Sequence, residues 1–386
     1  MHDPIYLDYN ATTPVDPRVA DAIEPYLRAH FGNPSSTHVY GRRAHEAVAQ
    51  ARAQVAALIG AKPGEIVFTG CATEANNLAI RGVASVMRHK GRHVITSAVE
   101  HPSVTQPFRY LQEEGWAVSV IPVDSEGRVS ADEVARALRE DTVLVSVMHA
   151  NNEVGTVQPI EQIAAVTRPL GILLHTDAAQ SAGKIPVLVD DLGVDLLTLA
   201  GHKFYATKGV GALYVRSGTP LRPVLVGAGH EHGLRPGTEN VPAIVGLGKA
   251  ARLAAEEGPQ EASRMQVLRD ELHARLAEVI PGLLLNGHPE YRLPNTLNLS
   301  FPGVDGRILL AQASDEVAAS VGSACHAEDE TVSGVLGAMG MEPKRARGAV
   351  RLSLGRLVNP PFTTAAEIER AATALIAAWR TCAGVR

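Results

Sequence analysis

Seven short apolar runs rich in Val, Ile and Leu recur through the first two-thirds of the chain: "IVFTG", "HVITSAV", "VSVIPV", "TVLVSVMHA", "GILLHTDAA", "DLLTLAGH" and "GALYV". Their hydrophobicity is continuous rather than alternating, which predicts strands buried on both faces. Helix-like segments separate them, and strands alternating with helices build a sheet covered on both sides. The expected fold class is α/β. One covering helix is legible in "GRRAHEAVAQARAQVAALIG", where Val48, Ala51, Val55, Leu58 and Ile59 fall near helical spacing and Gly60 supplies a C-terminal stop.

From about residue 240 the texture changes. A long helical stretch rich in Ala, Leu, Glu and Arg is interrupted by "EGPQ", so a helix break and a domain boundary are expected at Gly258 and Pro259. A chain of 386 residues is long for one compact unit. The expected division is a large domain over 15–258 and a small α+β domain from 1–14 and 259–386. The small domain would contain the strands "NTLNLSF" and "VRLSLG" and a terminal helix opened by Thr364, with Glu367 three residues on as a capping box.

Composition excludes several roles. A net charge of -5 leaves no basic footprint for nucleic acid. No apolar run is long enough to cross a bilayer, and "MHDPIYLDYNATT" lacks a basic leader followed by an apolar stretch, so a cytoplasmic location is expected. Cys71, Cys325 and Cys382 lie far apart without CxxC spacing, which argues against a disulfide framework or a zinc site. A cysteine with a function here is expected to be a reactive thiol. Cys325 lies in "SVGSACHAEDETVSG", a small and polar stretch with the composition of a loop. Cys382 falls on the last helix, exposed or half-buried.

In open parallel sheets, ligands sit beyond the carboxyl ends of the strands. Four apolar runs end in polar groups there: Glu100 and His101; Asn151, Asn152 and Glu153; Asp177 and Gln180; His202 and Lys203. Singly, each has a bland reading as a turn residue, a helix cap or a solvated side chain. Together they bring an acid, amides, two imidazoles and an amine to one edge of one sheet, which describes a site. An amine closing a buried strand suits a Schiff base, because desolvation favours its neutral, nucleophilic form. An Asp on a neighbouring strand would complement a protonated pyridine nitrogen. These are a protein's usual contributions to pyridoxal 5'-phosphate. The small-residue turn in "FTGCATEANNLAI", with Thr73 entering a helix, offers its phosphate free N–H groups. Lys203 directly follows its strand whereas Lys208 lies in a glycine-containing loop, so Lys203 is the expected amine.

At these residues the chain resembles the cysteine desulfurases, pyridoxal-phosphate enzymes of the class V aminotransferase group. "YLDYNATTPVDPRV", "FGNPSSTH", "ATEANNLAI", "MHANNEVGTVQPI", "HTDAAQSAGK", "GHKFYATKGVGALYVR", "RPGTEN", "VGSACHA" and "VRLSLGR" match that family's pattern in order, from residue 6 to residue 356. The resemblance implies fold type I, with a mostly parallel seven-stranded sheet flanked by helices. It implies that Lys203 bonds the cofactor, that Asp177 pairs with its pyridinium nitrogen, and that Gln180 bonds its phenolic oxygen. His101 would stack on the ring and move protons. Ala72, Thr73 and His202 would hold the phosphate, with Thr238 of "RPGTEN" reaching in from a second subunit, so a homodimer with shared sites is implied. Asn152 and Arg351 would bind the substrate carboxylate, the guanidinium by a two-pronged contact.

Two departures from the family's pattern stand out. Ala200 occupies the place before "GHK" where a serine hydroxyl usually meets the phosphate. "TGCATE" replaces the typical "TSGATE", which puts Cys71 close to the expected phosphate site, where it reads best as a small buried residue in a tight turn.

The reaction implied takes L-cysteine to L-alanine and leaves a persulfide on Cys325 for a sulfur acceptor, such as an iron–sulfur scaffold or a tRNA-thiolation factor. The runner-up is a selenocysteine lyase acting on L-selenocysteine. "SVGSACHAEDETVSGVL" and "RPGTENVPAIVGLGKAA" resemble that enzyme's versions equally well. Another class V aminotransferase, or a non-catalytic sulfur-trafficking scaffold, are lesser alternatives.

Overall fold

The computed structural model describes residues 3–322, 333–356 and 363–385. All seven apolar runs form strands of one sheet. Its spatial order is Ile66–Thr69, Gly211–Val215, Leu196–Ala200, Leu173–Asp177, Thr142–Ser146, His93–Ser97, Ala117–Ile121. Gly211–Val215 is antiparallel to both of its neighbours, and the other pairings are parallel.

Successive residues on a strand face opposite sides of the sheet, and here each side meets its own helix layer. Val145, Leu174 and Leu197 join a core with Val48, Ala51 and Val55 of the helix Val39–Leu58. Leu144, Leu196 and Leu213 face the helices Ala72–Met87 and Pro102–Glu113 through Leu78, Val83 and Phe108. This two-sided burial is why the runs read as continuous rather than alternating. The exception is "VSVIPV": its strand, Ala117–Ile121, closes the sheet edge, and Val120 is 57% exposed. The expectation of burial on both faces fails there, although Ile66–Thr69 at the opposite edge is buried throughout.

The helix break expected at Gly258 and Pro259 is absent: Val241–Val279 is one helix with Pro259 inside it. A proline forfeits one backbone bond, but both flanks are fixed by packing. Leu247 and Ala250 belong to the large core, whereas Leu268 and Leu272 belong to a second one. The change from one core to the other falls along this helix, between Ala254 and Met265. The second core backs an antiparallel sheet in which Thr296–Ser300 lies between Leu284–Asn286 and Ala349–Ser353. The terminal helix Ala365–Ala383 covers it, opened by the Thr364–Glu367 capping box. Ile5–Tyr6 pairs in parallel with Val317–Ala318, and Asn10–Thr13 then cross to the carboxyl edge of the large sheet.

Candidate active site

A cavity of about 600 Å³ opens beyond the carboxyl ends of the parallel strands. Asp177 closes Leu173–Asp177, and the turn Gly201–Lys203 follows the adjacent parallel strand Leu196–Ala200. His101 follows His93–Ser97, and Ala72 and Thr73 begin the helix after Ile66–Thr69. All of these, with Gln180, His202, Asn152 and Arg351, line the cavity. Thr238 does not line it and is exposed on this chain. Cys325 lies outside the described residues.

Lys203 Nζ donates to the backbone carbonyls of Asn10 at 2.6 Å and Ala11 at 2.8 Å. The chain turns sharply behind it, where Tyr205 adopts φ 72°, a left-handed conformation costly for an aromatic residue. The surroundings over-determine that turn. Tyr205 N donates to Thr13 Oγ1, its carbonyl accepts from Asp16 N, and its hydroxyl accepts from Arg356 N.

The Asp177 carboxylate accepts the Asn76 side-chain amide at 2.7 Å and the Ala179 N–H at 2.9 Å. Asn76 is fully buried on the helix Ala72–Met87 and also donates to Ser103 Oγ at 2.9 Å. His101 caps the helix Pro102–Glu113. Because Ser103 N–H is an obligate donor to His101 Nδ1 at 3.1 Å, the proton of the neutral ring sits on Nε2. Burial lowers the His101 pKa, with the Asp177 charge opposing and the Lys203 charge adding to the effect. Burial, helped by the Lys203 and Lys208 charges, brings His202 down to about 4, so it is neutral near pH 7. Its Nδ1 lies 3.1 Å from Thr12 Oγ1.

The helix Ala72–Met87 starts without a side-chain cap, so its first-turn N–H groups and its dipole are available to an anion. The one acid of that turn, Glu74, is engaged elsewhere: it accepts from Gly70 N and from Arg235 Nε of "RPGTEN". Ala200 does lie on the cavity wall, and Thr73, Ser103 and Thr105 are the hydroxyl-bearing residues among the described lining. The expectation of a buried Cys71 is corrected: it is exposed, at the N-cap of this helix and on the cavity rim rather than inside a turn.

Arg351 is 3% exposed and donates through Nη2 to Asp8 Oδ1 at 2.7 Å and through Nη1 to the Asn152 carbonyl at 3.0 Å. Glu100 also lines the cavity; burial pushes its carboxyl up to about 8, against hydrogen bonds from Ser97 Oγ and Met148 N.

Sequence reasoning assigned no role to Asn10, Asn76 or Lys184, although all three sit within quoted motifs. Asn10 is the centre of the site's hydrogen bonds. Its carbonyl accepts from Lys203 and Gln180, its Oδ1 from Lys184 and Asn295, and its Nδ2 donates to Thr296 Oγ1 and the Asn152 carbonyl. A buried amide whose partners are hundreds of residues away has no local signature.

These residues suit pyridoxal phosphate: an amine at a strand end, a carboxylate held by two donors on the adjacent strand, a neutral imidazole and an uncapped helix N-terminus. They share a cavity large enough for the cofactor and a small amino acid. Among the described residues, no group of acidic, His and Cys side chains could hold a metal ion, and no helix is long and apolar enough to cross a membrane.

Comparison with known proteins agrees with this chemistry. Residues 5–370 match the family described as Aminotransferase class-V. A protein of Dictyoglomus turgidum named cysteine desulfurase IscS is 46% identical over 92% of this chain and 90% of its own length. Its namesake in an Anaeromyxobacter species is 48% identical over 96% of this chain and 91% of its own. Among solved structures, a NifS-like protein superposes with a TM-score of 0.89 at 38% identity, covering 97% of this chain and 98% of its own. A structure described as SspA in complex with cysteine has a TM-score of 0.81 at 40% identity, covering 93% of this chain and 99% of its own. The chain belongs to the class-V aminotransferase family, and the relatives it resembles over nine-tenths of its length are cysteine desulfurases.

Proposed function

We infer that the chain is a pyridoxal-phosphate-dependent cysteine desulfurase, which converts L-cysteine to L-alanine and passes the sulfur through a persulfide on Cys325. The observation that carries this reading is the convergence of Lys203, Asp177 and His101 on one cavity, in a chain whose relatives bear that activity in their names.

When bound, pyridoxal phosphate supplies a sink for the electrons released at the substrate's Cα. In this reading the chain does the rest. Lys203 would hold the cofactor covalently, and its amine, when free, would serve as the base for the substrate's Cα proton. Asp177, oriented by Asn76, would pair with the cofactor's pyridine nitrogen. Gln180 would donate to its phenolic oxygen, and His101 would hold a movable proton on Nε2. Ala72, Thr73 and neutral His202 would hold the phosphate, with Thr238 contributed by a second copy of the chain in a homodimer. Arg351 and Asn152 hold the substrate carboxylate.

The sulfur step balances as a displacement at sulfur. The Cys325 thiolate bonds to the substrate sulfur and the substrate C–S bond breaks. Its electron pair stays on carbon, which takes a proton to become the alanine methyl group. The persulfide sulfur then passes to a protein acceptor. No observation favours selenocysteine over cysteine as substrate, whereas the named relatives favour cysteine.

The test is borohydride reduction of the protein loaded with pyridoxal phosphate, followed by peptide mass analysis. A pyridoxyl adduct on Lys203 is expected. An adduct on another lysine, or none, contradicts the site.

A further inference from the structure

A second amine lies behind the first. Lys184 follows the strand Leu173–Asp177 by seven residues and is 7% exposed. It is not on the main cavity wall, but it shares with Lys203 and Arg356 a small enclosed space beneath that cavity. Its Nζ lies 3.0 Å from Gln180 Oε1 and 3.2 Å from Asn10 Oδ1. Among the described residues, no acidic side chain bonds it. Burial, with the nearby Lys203 and Arg351 charges, holds its pKa well below the ordinary lysine range. A lysine buried without a counter-charge is expensive to keep, and surface placement of a residue after a strand carries no such penalty.

The amide directions around it are fixed independently. Asn10 Nδ2 donates to the Asn152 carbonyl, which can only accept, so Asn10 Oδ1 must face Lys184. Gln180 Nε2 donates at 2.9 Å to the Asn10 carbonyl, again acceptor-only, so Gln180 Oε1 must also face Lys184. Gln180 therefore keeps one amide hydrogen for the cavity it lines, and the same Asn10 carbonyl receives Lys203. Lys184 and the Asn10 carbonyl thus hold the Gln180 amide from its two ends; without Lys184, Gln180 Oε1 loses its donor and only the Asn10 carbonyl is left to oppose a turned amide that would present its oxygen to the cavity.

Resting on the cofactor assignment above, we propose that Lys184 is a positioning residue of the reaction centre: together with the Asn10 carbonyl it fixes the Gln180 amide so that its N–H, not its oxygen, meets the phenolic oxygen of pyridoxal phosphate. The charged and titratable groups around Lys203 include Lys184 and Arg356, which share its small enclosed space, and Glu100, His101, Asp177, His202 and Arg351, which line the main cavity with it. A donor to the phenolic oxygen stabilises its anionic form and lowers the pH at which the cofactor–lysine linkage loses its proton.

The test is the visible absorbance of the loaded protein against pH for wild type, Lys184→Met, Gln180→Ala and the double variant. Lys184→Met is expected to raise the midpoint by about one pH unit, and to add less than half of that shift in the Gln180→Ala background. An unchanged midpoint overturns the proposal. So does an equal shift in both backgrounds, which would mark Lys184 as a bystander charge. Wild-type protein that takes up no pyridoxal phosphate would instead overturn the cofactor assignment. If Lys184→Met does not accumulate folded, neutron diffraction from the loaded wild type reads the same point: deuterium is expected on the Gln180 atom facing the cavity, and an oxygen there overturns the proposal.

Discussion

Arg351 and Asp8 form an ion pair at 2.7 Å on the edge of the cavity, with the guanidinium 3% and the carboxylate 21% exposed. The pair joins the sheet that holds Arg351 to the N-terminal segment that also places Asn10. Arg351 is the residue proposed to take the substrate carboxylate, so its direction is set before substrate arrives.

Removing the carboxylate leaves a buried guanidinium without its counter-charge. Asp8→Asn is expected to cost about 3 kcal/mol of stability, read as a lowered midpoint in urea unfolding. L-Alanine, whose carboxylate can replace the lost charge, is expected to restore more stability to the loaded variant than to the loaded wild type. Equal effects of alanine on both proteins would contradict the role of Arg351.

Glu100 gives a pH signature. Burial raises its folded pKa to about 8 from 4.5, so between those values the folded chain holds a proton that the unfolded chain has released. Its contribution to stability therefore falls as pH rises through this window. Glu100→Gln removes that dependence and is expected to gain about 1.4 kcal/mol over wild type for each pH unit between 4.5 and 8. Parallel stability curves for the two proteins would show that Glu100 ionises normally.

Asn76 is expected to matter chiefly through Asp177, its shorter hydrogen-bond partner. Asn76→Ala removes the 2.7 Å bond that orients the carboxylate, and turnover is expected to fall about 10–100-fold, the range typical of removing an outer partner of a functional group. Asp177→Asn should cost more turnover than Asn76→Ala, and adding Asn76→Ala to it should change the residual rate little. Independent losses in the double variant would separate the two residues.

Much of the site was legible because its members close apolar runs. A strand's end is visible in sequence, and the rule that ligands sit beyond the carboxyl ends of parallel strands brings Asp177, His101 and Lys203 together without any structure. The supporting residues were not legible because their partners are remote. Asn10 meets Thr296, and Asp8 meets Arg351, across most of the chain's length. Gly258 and Pro259 misled for the complementary reason: local breakers were read as a stop, yet two separate cores hold the helix straight through them. Val120 looked buried because the composition of an apolar run does not reveal which of its residues the helix layers cover.

The most direct test of the central claim is alanine release from L-cysteine by the loaded protein, compared with Cys325→Ser and Lys203→Ala. The account predicts turnover by wild type with a persulfide on Cys325, loss of persulfide and of turnover in Cys325→Ser with cofactor still bound, and no activity in Lys203→Ala. Alanine appearing at the wild-type rate from Cys325→Ser, or from Lys203→Ala, would contradict it.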